Sequence, residues 1–273
     1  MESQHRVLVE VSAGVADVRL NRPEKLNALD SAMFDGIAAA IERIAEDATV
    51  RAVVLSGEGR AFCAGLDMGS LAAMADSAPQ GASSDLGRRA PGQIANRAQL
   101  AAYGWSQLPV PVIAAVHGVA LGGGAQIALG ADLRIVAPAS QISIFEISWG
   151  LVPDMSATVT LPRLVGADVA KELAWTARLV SGTEAVSIGL ATRVAEDPRS
   201  EALRLAHEIA SRNPHAVRAA KRMFASRPTA TDAERLATES AEMAALIGSP
   251  NQAEAVRARM EKREPLFADP DLG

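Results

Sequence analysis

The chain has 273 residues, of which 49% are hydrophobic and 22% are charged, and its formal net charge is −5. This size is enough for one large domain, or for one domain with an appendage, and the negative charge argues against nucleic acid as a main partner. No apolar run reaches the roughly 18 residues of a membrane span, so we expect no membrane partner. Cys63 is the single cysteine, which excludes an internal disulfide and makes a reducing cytoplasmic setting the expected one.

The first two thirds of the chain predict strands that alternate with helices. Asp30 can serve as the N-cap of a predicted helix at 31–46, and a second helix is predicted at 94–107. The segment 74–92 is rich in Ala, Ser, Gly and Pro and is typical of a mobile loop. Alternating or continuously apolar runs predict strands, at 7–11, 15–20, 52–56, 109–116, 133–136 and 141–145.

The last third of the chain has a helical pattern only. Helices are predicted at 167–177, 183–188, 200–211, 214–225, 231–247 and 252–262. This change of pattern predicts an α/β core at 1–199 and a helical C-terminal subdomain at 200–273.

Three successive glycines, Gly122 to Gly124, lie between an apolar run and a helix-like segment at 125–129. Glycine permits a close approach to the backbone, and the N–H groups at the start of a helix carry partial positive charge. Such a turn would suit an oxygen that gains negative charge during a reaction. A tight turn that serves only helix–strand packing is the alternative. The spacing fits neither a Walker loop nor a dinucleotide fingerprint.

A second glycine-containing turn at 61–67 follows the predicted strand 52–56. The N–H of Leu66 could face that of Gly123, and two converging donors would form an oxyanion hole. Cys63, within this turn, has apolar flanks and no evident cationic or histidine partner. We therefore expect it to be buried and inert.

Two carboxylates follow the glycines. Glu146 lies among Ile, Phe and Trp, where burial would raise its pKa toward the value that a general base needs. The alternative is a structural carboxylate that accepts backbone hydrogen bonds. Asp154 follows a proline, and its alternative role is a helix N-cap. The four histidines form no metal-ligand spacing with one another or with cysteine, so no metal site is expected.

Six segments, in this order, resemble motifs of the crotonase family, the enoyl-CoA hydratases and isomerases: 21–29, 57–67, 114–132, 146–166, 180–185 and 260–265. The resemblance covers nearly the whole chain. It implies a spiral of β-β-α units with a C-terminal helical trimerisation region, and a homotrimer or a hexamer built from two trimers. It also implies an acyl-CoA thioester substrate and no separate cofactor, because coenzyme A is part of the substrate.

By motif position, the resemblance assigns Leu66 and Gly123 to the oxyanion hole of the thioester carbonyl. It assigns proton transfer to Glu146 and Asp154. The residues that it implies for substrate binding are Lys25, Ala64, Asp67 and Gln126.

The departures from the family pattern bear on the reaction. Hydratases of the family carry two glutamates, and the first falls on Gln126, whose amide cannot ionise but can orient a water or a substrate. Asp154 stands where hydratases commonly have glycine and where dienoyl-CoA isomerases have an acid, although those isomerases also have an acid at the position of Gln126. We therefore predict double-bond isomerisation. The alternatives are an enoyl-CoA hydratase that uses Glu146 with Gln126 orienting water, and a weakly active acyl-CoA-binding homologue.

Overall fold

The structure is a computed structural model that describes residues 5–76, 88–90, 92–225 and 230–271. Its strands, in chain order, are β1 (Val7–Ser12), β2 (Val15–Leu20), β3 (Ala52–Gly57), β4 (Val112–Val116), β5 (Val119–Leu121), β6 (Leu133–Val136), β7 (Gln141–Ser143), β8 (Val180–Ser181) and β9 (Arg193–Val194).

The helices of the described residues are α1 (Ser31–Ala45), α2 (Met68–Ala75), α3 (Arg97–Gln107), α4 (Gly123–Leu129), α5 (Ala157–Val165), α6 (Ala167–Thr176), α7 (Gly182–Ser187), α8 (Pro198–Ala210), α9 (Pro214–Phe224), α10 (Asp232–Leu246) and α11 (Pro250–Glu261). Two short 3-10 helices, Pro23–Lys25 and Glu146–Trp149, lie beside the glycine turns discussed below.

Six strands form the main sheet in the order β1-β2-β3-β4-β6-β9. β1 and β2 are an antiparallel hairpin, and the other neighbours are parallel. The hairpin turn needs positive φ at two residues, and Ala13 (φ 48°) and Gly14 (φ 78°) adopt it. A smaller sheet has the order β5-β7-β8. β5 of the smaller sheet ends at Leu121, immediately before the glycine triplet.

Helices cover both faces of the main sheet. β3 and β4 are buried along their whole lengths, as expected of parallel strands packed on both sides. The larger apolar core lies under α1 and α3 and includes Trp105, which is fully buried. A second core lies on the opposite face, where alanines of α8 pack against Ile113 and Ile135.

Several predicted boundaries move. The helix predicted at 94–107 begins at Arg97, because the side chain of Asn96 caps it. The strand predicted at 141–145 ends at Ser143. The predicted loop 74–92 begins within α2, and its residues 77–87 and 91 lie outside the described residues. The predicted division between 199 and 200 falls inside α8, and the two-part organisation stays a prediction. Within the described ranges, no helix has both the length and the apolar character needed to cross a membrane.

Candidate active site

The two glycine-containing turns lie directly against each other. A parallel bridge joins Cys63 to Ala120, with the Cys63 N–H donating to the Val119 carbonyl and the Leu121 N–H donating to the Cys63 carbonyl, each at 3.0 Å. The first turn is also bonded on its other side, where the Leu29 N–H donates to the Gly65 carbonyl at 2.8 Å. The peptide of residue 66 is therefore held beside the start of α4.

Glycine is required where these turns touch. A Cβ at Gly65, where φ is +87°, would lie 2.6 Å from the Leu121 carbonyl oxygen, and one at Gly124 would lie 2.3 Å from the Cys63 carbonyl oxygen. Distances this short exclude a side chain unless the backbone moves. The close packing of one backbone on the other therefore fixes the shape of the triplet and of the first turn.

The backbone nitrogen of Gly123 lies next to the turn that contains Leu66. The Gly123 nitrogen lies 3.8 Å from the position that a Cβ would occupy on Gly65. Within the described residues, neither the Leu66 N–H nor the Gly123 N–H takes part in a hydrogen bond. Gly123 is also the first residue of α4, where backbone N–H groups have no partner within the helix. The arrangement thus offers two uncommitted donors to an oxygen.

Gln126, on α4, is fully buried, and its amide uses nearly all of its hydrogen-bonding capacity. Its Nε2 donates to Oε1 of Glu146 at 2.6 Å. Its Oε1 accepts the backbone N–H groups of Met155 at 2.9 Å and Ala157 at 3.1 Å. The side chain therefore links α4, the Glu146 segment and the start of α5, with one amide hydrogen left over.

Glu146 begins the 3-10 helix that follows β7, and its carboxylate lies over the start of α4. Its Oε1 is 3.2 Å from the position of a Cβ on Gly122, while its Oε2 is buried and has no hydrogen-bond partner in the described part of the chain. Burial raises the pKa of Glu146, the hydrogen bond from Gln126 opposes this rise, and the negative charge of Asp154 adds to it. A half-buried carboxylate with one unbonded oxygen has the properties of a general base.

Asp154 lies in the wall of a cavity of about 300 Å³ that also contains Arg89, Gln99 and Tyr103. Its side chain is open to this cavity, and partial burial raises its pKa. It does not cap the helix that follows, because the N-cap of α5 is Ser156. Glu146 and Asp154 thus both have raised pKa values, and the negative charge of Asp154 contributes to the rise at Glu146.

The remaining predicted site residues border the first turn. Asp67 caps α2 through the Gly69 N–H at 2.8 Å and accepts a hydrogen bond of 2.7 Å from Arg22, which is the main cause of its lowered pKa. The Ala64 N–H donates to a backbone carbonyl at 2.9 Å. Lys25 is exposed at the end of its 3-10 helix.

Burial raises the pKa of the Cys63 thiol to about 12, which agrees with the expected inert role. Sequence reasoning did not single out Arg22 as a support of the first turn, since its partner Asp67 lies 45 positions away. Among the residues that the structure describes, no group of three His, Cys, Asp or Glu side chains could hold a metal ion.

Comparison with known proteins gives consistent matches over nearly the whole chain. Residues 10–270 match the family model described as enoyl-CoA hydratase/isomerase. The chain is 32% identical to the mitochondrial methylglutaconyl-CoA hydratase of Mus musculus, covering 97% of this chain and 83% of that protein. It is 36% identical to a probable enoyl-CoA hydratase of Rhodobacter capsulatus, covering 97% and 98%. The crystal structure of enoyl-CoA hydratase from Bacillus anthracis matches with a TM-score of 0.86 and 31% identity, covering 96% of this chain and 98% of that one.

Proposed function

The chain belongs to the enoyl-CoA hydratase/isomerase family, and on that premise we propose that it moves the double bond of an unsaturated acyl-CoA thioester. Its α/β fold is the crotonase fold that the sequence resemblance predicts. The observation that carries the proposal is the state of Gln126, which is buried and bound to Glu146 at 2.6 Å. One unbonded carboxylate oxygen and a second acid, Asp154, are then left for proton transfer.

The proposed binding mode places the thioester carbonyl oxygen between the N–H groups of Leu66 and Gly123. Removal of a proton next to a thioester carbonyl moves an electron pair onto this oxygen. Two donors held in place by the contact between the turns would stabilise that charge without a change of conformation. Each such donor lowers the activation barrier by about 3 kcal/mol.

The proposed reaction starts from a 3-enoyl-CoA. Oε2 of Glu146 removes a proton from C2, and the C–H electron pair forms a C1–C2 double bond while the carbonyl π pair moves onto the thioester oxygen. In the second step the oxygen pair re-forms the carbonyl, the C1–C2 π pair moves to C2–C3, and the old C3–C4 π pair takes a proton at C4. The product is the 2-enoyl-CoA, with no net gain or loss of protons. The second proton comes either from Glu146 itself or from Asp154, and burial, which raises the pKa of both acids, supports this role.

Gln126 acts, in this proposal, through Glu146 and not on the substrate. Its amide oxygen is occupied by two backbone N–H groups, so the orientation of the amide is fixed and Nε2 must face the carboxylate. This bond holds Oε1 and leaves Oε2 directed elsewhere. Gln126 is therefore a positioning residue.

Hydration is the second candidate, because the relatives named above are hydratases. A water bound to Oε2 of Glu146 could add to the double bond. Hydratases of the family hold this water between two carboxylates. Here the water would contact only the carboxylate of Glu146, since Gln126 offers at most its one remaining amide hydrogen. This difference is the reason that isomerisation is preferred.

A substrate panel tests the proposal. The purified protein is incubated with a 3-enoyl-CoA, a 3,5-dienoyl-CoA and crotonyl-CoA, with Glu146→Gln and Asp154→Asn as variants. The proposal expects double-bond migration that Glu146→Gln slows by about 10²–10⁴-fold. If no acyl-CoA is turned over while CoA esters still bind, the chain is a binding homologue and the enzyme assignment fails.

Assembly, location and the outer substrate contacts remain proposals. A homotrimer, alone or paired into a hexamer, is supported by α10, which buries no residue and exposes Leu236 and Met243. Light scattering of the purified protein would measure the number of subunits. A cytoplasmic location and substrate contacts by Lys25, Ala64 and Asp67 are proposed on the family resemblance alone.

A further inference from the structure

We infer that the acyl group ends in a carboxylate, so that the substrate is the CoA monothioester of a short unsaturated dicarboxylic acid. The inference rests on the proposed function for the placement of the thioester. With the carbonyl at Leu66 and Gly123, the acyl chain passes Glu146 and Asp154, and Asp154 is itself part of the wall of the 300 Å³ cavity. That cavity would therefore receive the far end of the acyl group.

The cavity is small, and its wall combines apolar side chains with several hydrogen-bond donors. A volume of about 300 Å³ lies at the lower end for ligand pockets, which favours a short acyl group. Its wall contains Arg89, Gln99, Tyr103 and Ser156 as hydrogen-bond donors. An alkyl chain in this space would displace water from these groups without replacing its hydrogen bonds. Each group left without a partner would then reduce the binding free energy.

Three of these donors have no competing partner within the described residues. The Ser156 hydroxyl is buried and forms no hydrogen bond. Gln99 uses its Oε1 to accept the Asn96 N–H at 3.0 Å, which directs Nε2 away from that bond. The Tyr103 hydroxyl donates to none of the described groups, although Tyr103 is half-buried. All three can donate to an acceptor that enters the cavity.

Arg89 supplies the charge that selects an anion. Its Nε donates to the Ile94 carbonyl at 2.9 Å, which fixes the guanidinium and leaves its two terminal nitrogens available. In the part of the chain that the structure describes, Arg89 forms no ion pair. The pKa of Asp154 is raised by burial with no opposing effect of Arg89, so the two charges are not paired with each other. The guanidinium of Arg89 could therefore donate a bidentate pair of hydrogen bonds to a carboxylate.

Binding of unreactive analogues tests the inference without requiring turnover. Calorimetry would compare adipyl-CoA with hexanoyl-CoA, which have six-carbon acyl groups and differ in the terminal carboxylate. Adipyl-CoA should bind at least roughly tenfold more tightly, which corresponds to one charge-assisted hydrogen bond. Arg89→Gln should abolish this preference, and Tyr103→Phe should reduce it. Arg88→Gln is the matched control, since Arg88 is the neighbouring arginine and does not line the cavity.

Each other outcome has a defined meaning. Equal or tighter binding of hexanoyl-CoA, or a preference that Arg89→Gln leaves intact, overturns the inference. An equal loss of affinity for both thioesters and for free coenzyme A in Arg89→Gln also overturns it, because Arg89 would then bind the coenzyme. A preference for adipyl-CoA with no turnover of the corresponding 3-enoyl compounds upholds the inference and removes the proposed reaction, so the two failures are distinct.

Discussion

Gln126 donates a hydrogen bond of 2.6 Å to Glu146, although the two residues are 20 positions apart. The amide is fully buried, and its oxygen accepts the N–H groups of Met155 and Ala157. This one side chain thus connects the start of α5 with the carboxylate that we propose as the base. Four predictions follow from this contact and from its surroundings.

Gln126→Leu should destabilise the fold by about 2–4 kcal/mol, because it leaves two buried backbone N–H groups without an acceptor. Urea unfolding of the variant and the wild type measures this difference. Gln126→Glu keeps an acceptor for both N–H groups and serves as the control at low pH, where the carboxyl groups at 126 and 146 are protonated and a smaller loss is expected. Equal stability of Gln126→Leu and wild type would show that the Met155 and Ala157 bonds contribute nothing.

Gln126→Glu should shift the pH dependence of activity and raise hydration relative to isomerisation. Two carboxyl groups in contact share a proton, which raises the pKa of one of them above that of Glu146 in the wild type. The acidic limb of the kcat profile should therefore move to higher pH. An added carboxylate can also hold a water against the double bond. Rates on crotonyl-CoA and on a 3-enoyl-CoA check both parts, and an unchanged ratio with an unmoved profile would contradict them.

Glu146→Gln should lower kcat by about 10²–10⁴-fold, the usual contribution of a positioned general base. At neutral pH the same substitution should raise the free energy of unfolding, because it removes a charge that burial disfavours. The folded-state pKa of Glu146 lies above its ordinary value, so between the two values the folded state binds more protons than the unfolded state. Wild-type stability from this group therefore falls as pH rises through that window.

The variant lacks this ionisation, so its stability relative to wild type should increase as the pH rises above the ordinary pKa of a glutamate and through the raised pKa of Glu146. Chemical unfolding at several pH values measures the trend. A relative stability that decreases with pH would mean that the folded state favours the charged form of Glu146. The carboxylate would then be a structural group and not a desolvated base.

Gly65→Ala should lower kcat by about 10²-fold, because the new Cβ would lie 2.6 Å from the Leu121 carbonyl and would force the two turns apart. Gly248→Ala is the matched control. Gly248 has a similar φ of +77° and nothing within 4 Å of the added Cβ, so both variants carry backbone strain of about 1 kcal/mol. Only Gly65→Ala should lose activity. Comparable kcat values for the two variants would show that the contact between the two turns does not contribute to catalysis.

Much of the fold was predictable because its main elements have strong local patterns. β3 and β4 are continuously apolar and are buried, and Asp30 caps α1 by accepting the Met33 N–H at 2.8 Å. β8 and β9 have two residues each, which is too few for any periodicity to show. α5 was missed as an element, since it contains Pro162 and starts from a left-handed Ser156.

The site was predictable only as separate pieces. The glycine turns mark close backbone contact, and the apolar neighbours of Glu146 mark a desolvated carboxylate. Which groups meet depends on contacts between distant segments, such as Gln126 with Met155, 29 positions apart. The donors around Arg89 share one cavity only because α3 packs beside the segment that holds Asp154. No local pattern in the sequence carries that information.

The central claim, that this site moves a double bond instead of adding water, is tested most directly by the products of the wild-type enzyme. Proton NMR would follow two reactions under the same conditions, with a 3-enoyl-CoA and with crotonyl-CoA. We predict that the 3-enoyl-CoA is converted to the 2-enoyl isomer faster than crotonyl-CoA is hydrated, and that Asp154→Asn slows the migration. Rapid hydration of crotonyl-CoA that survives Asp154→Asn, with no migration of the double bond, would contradict the claim.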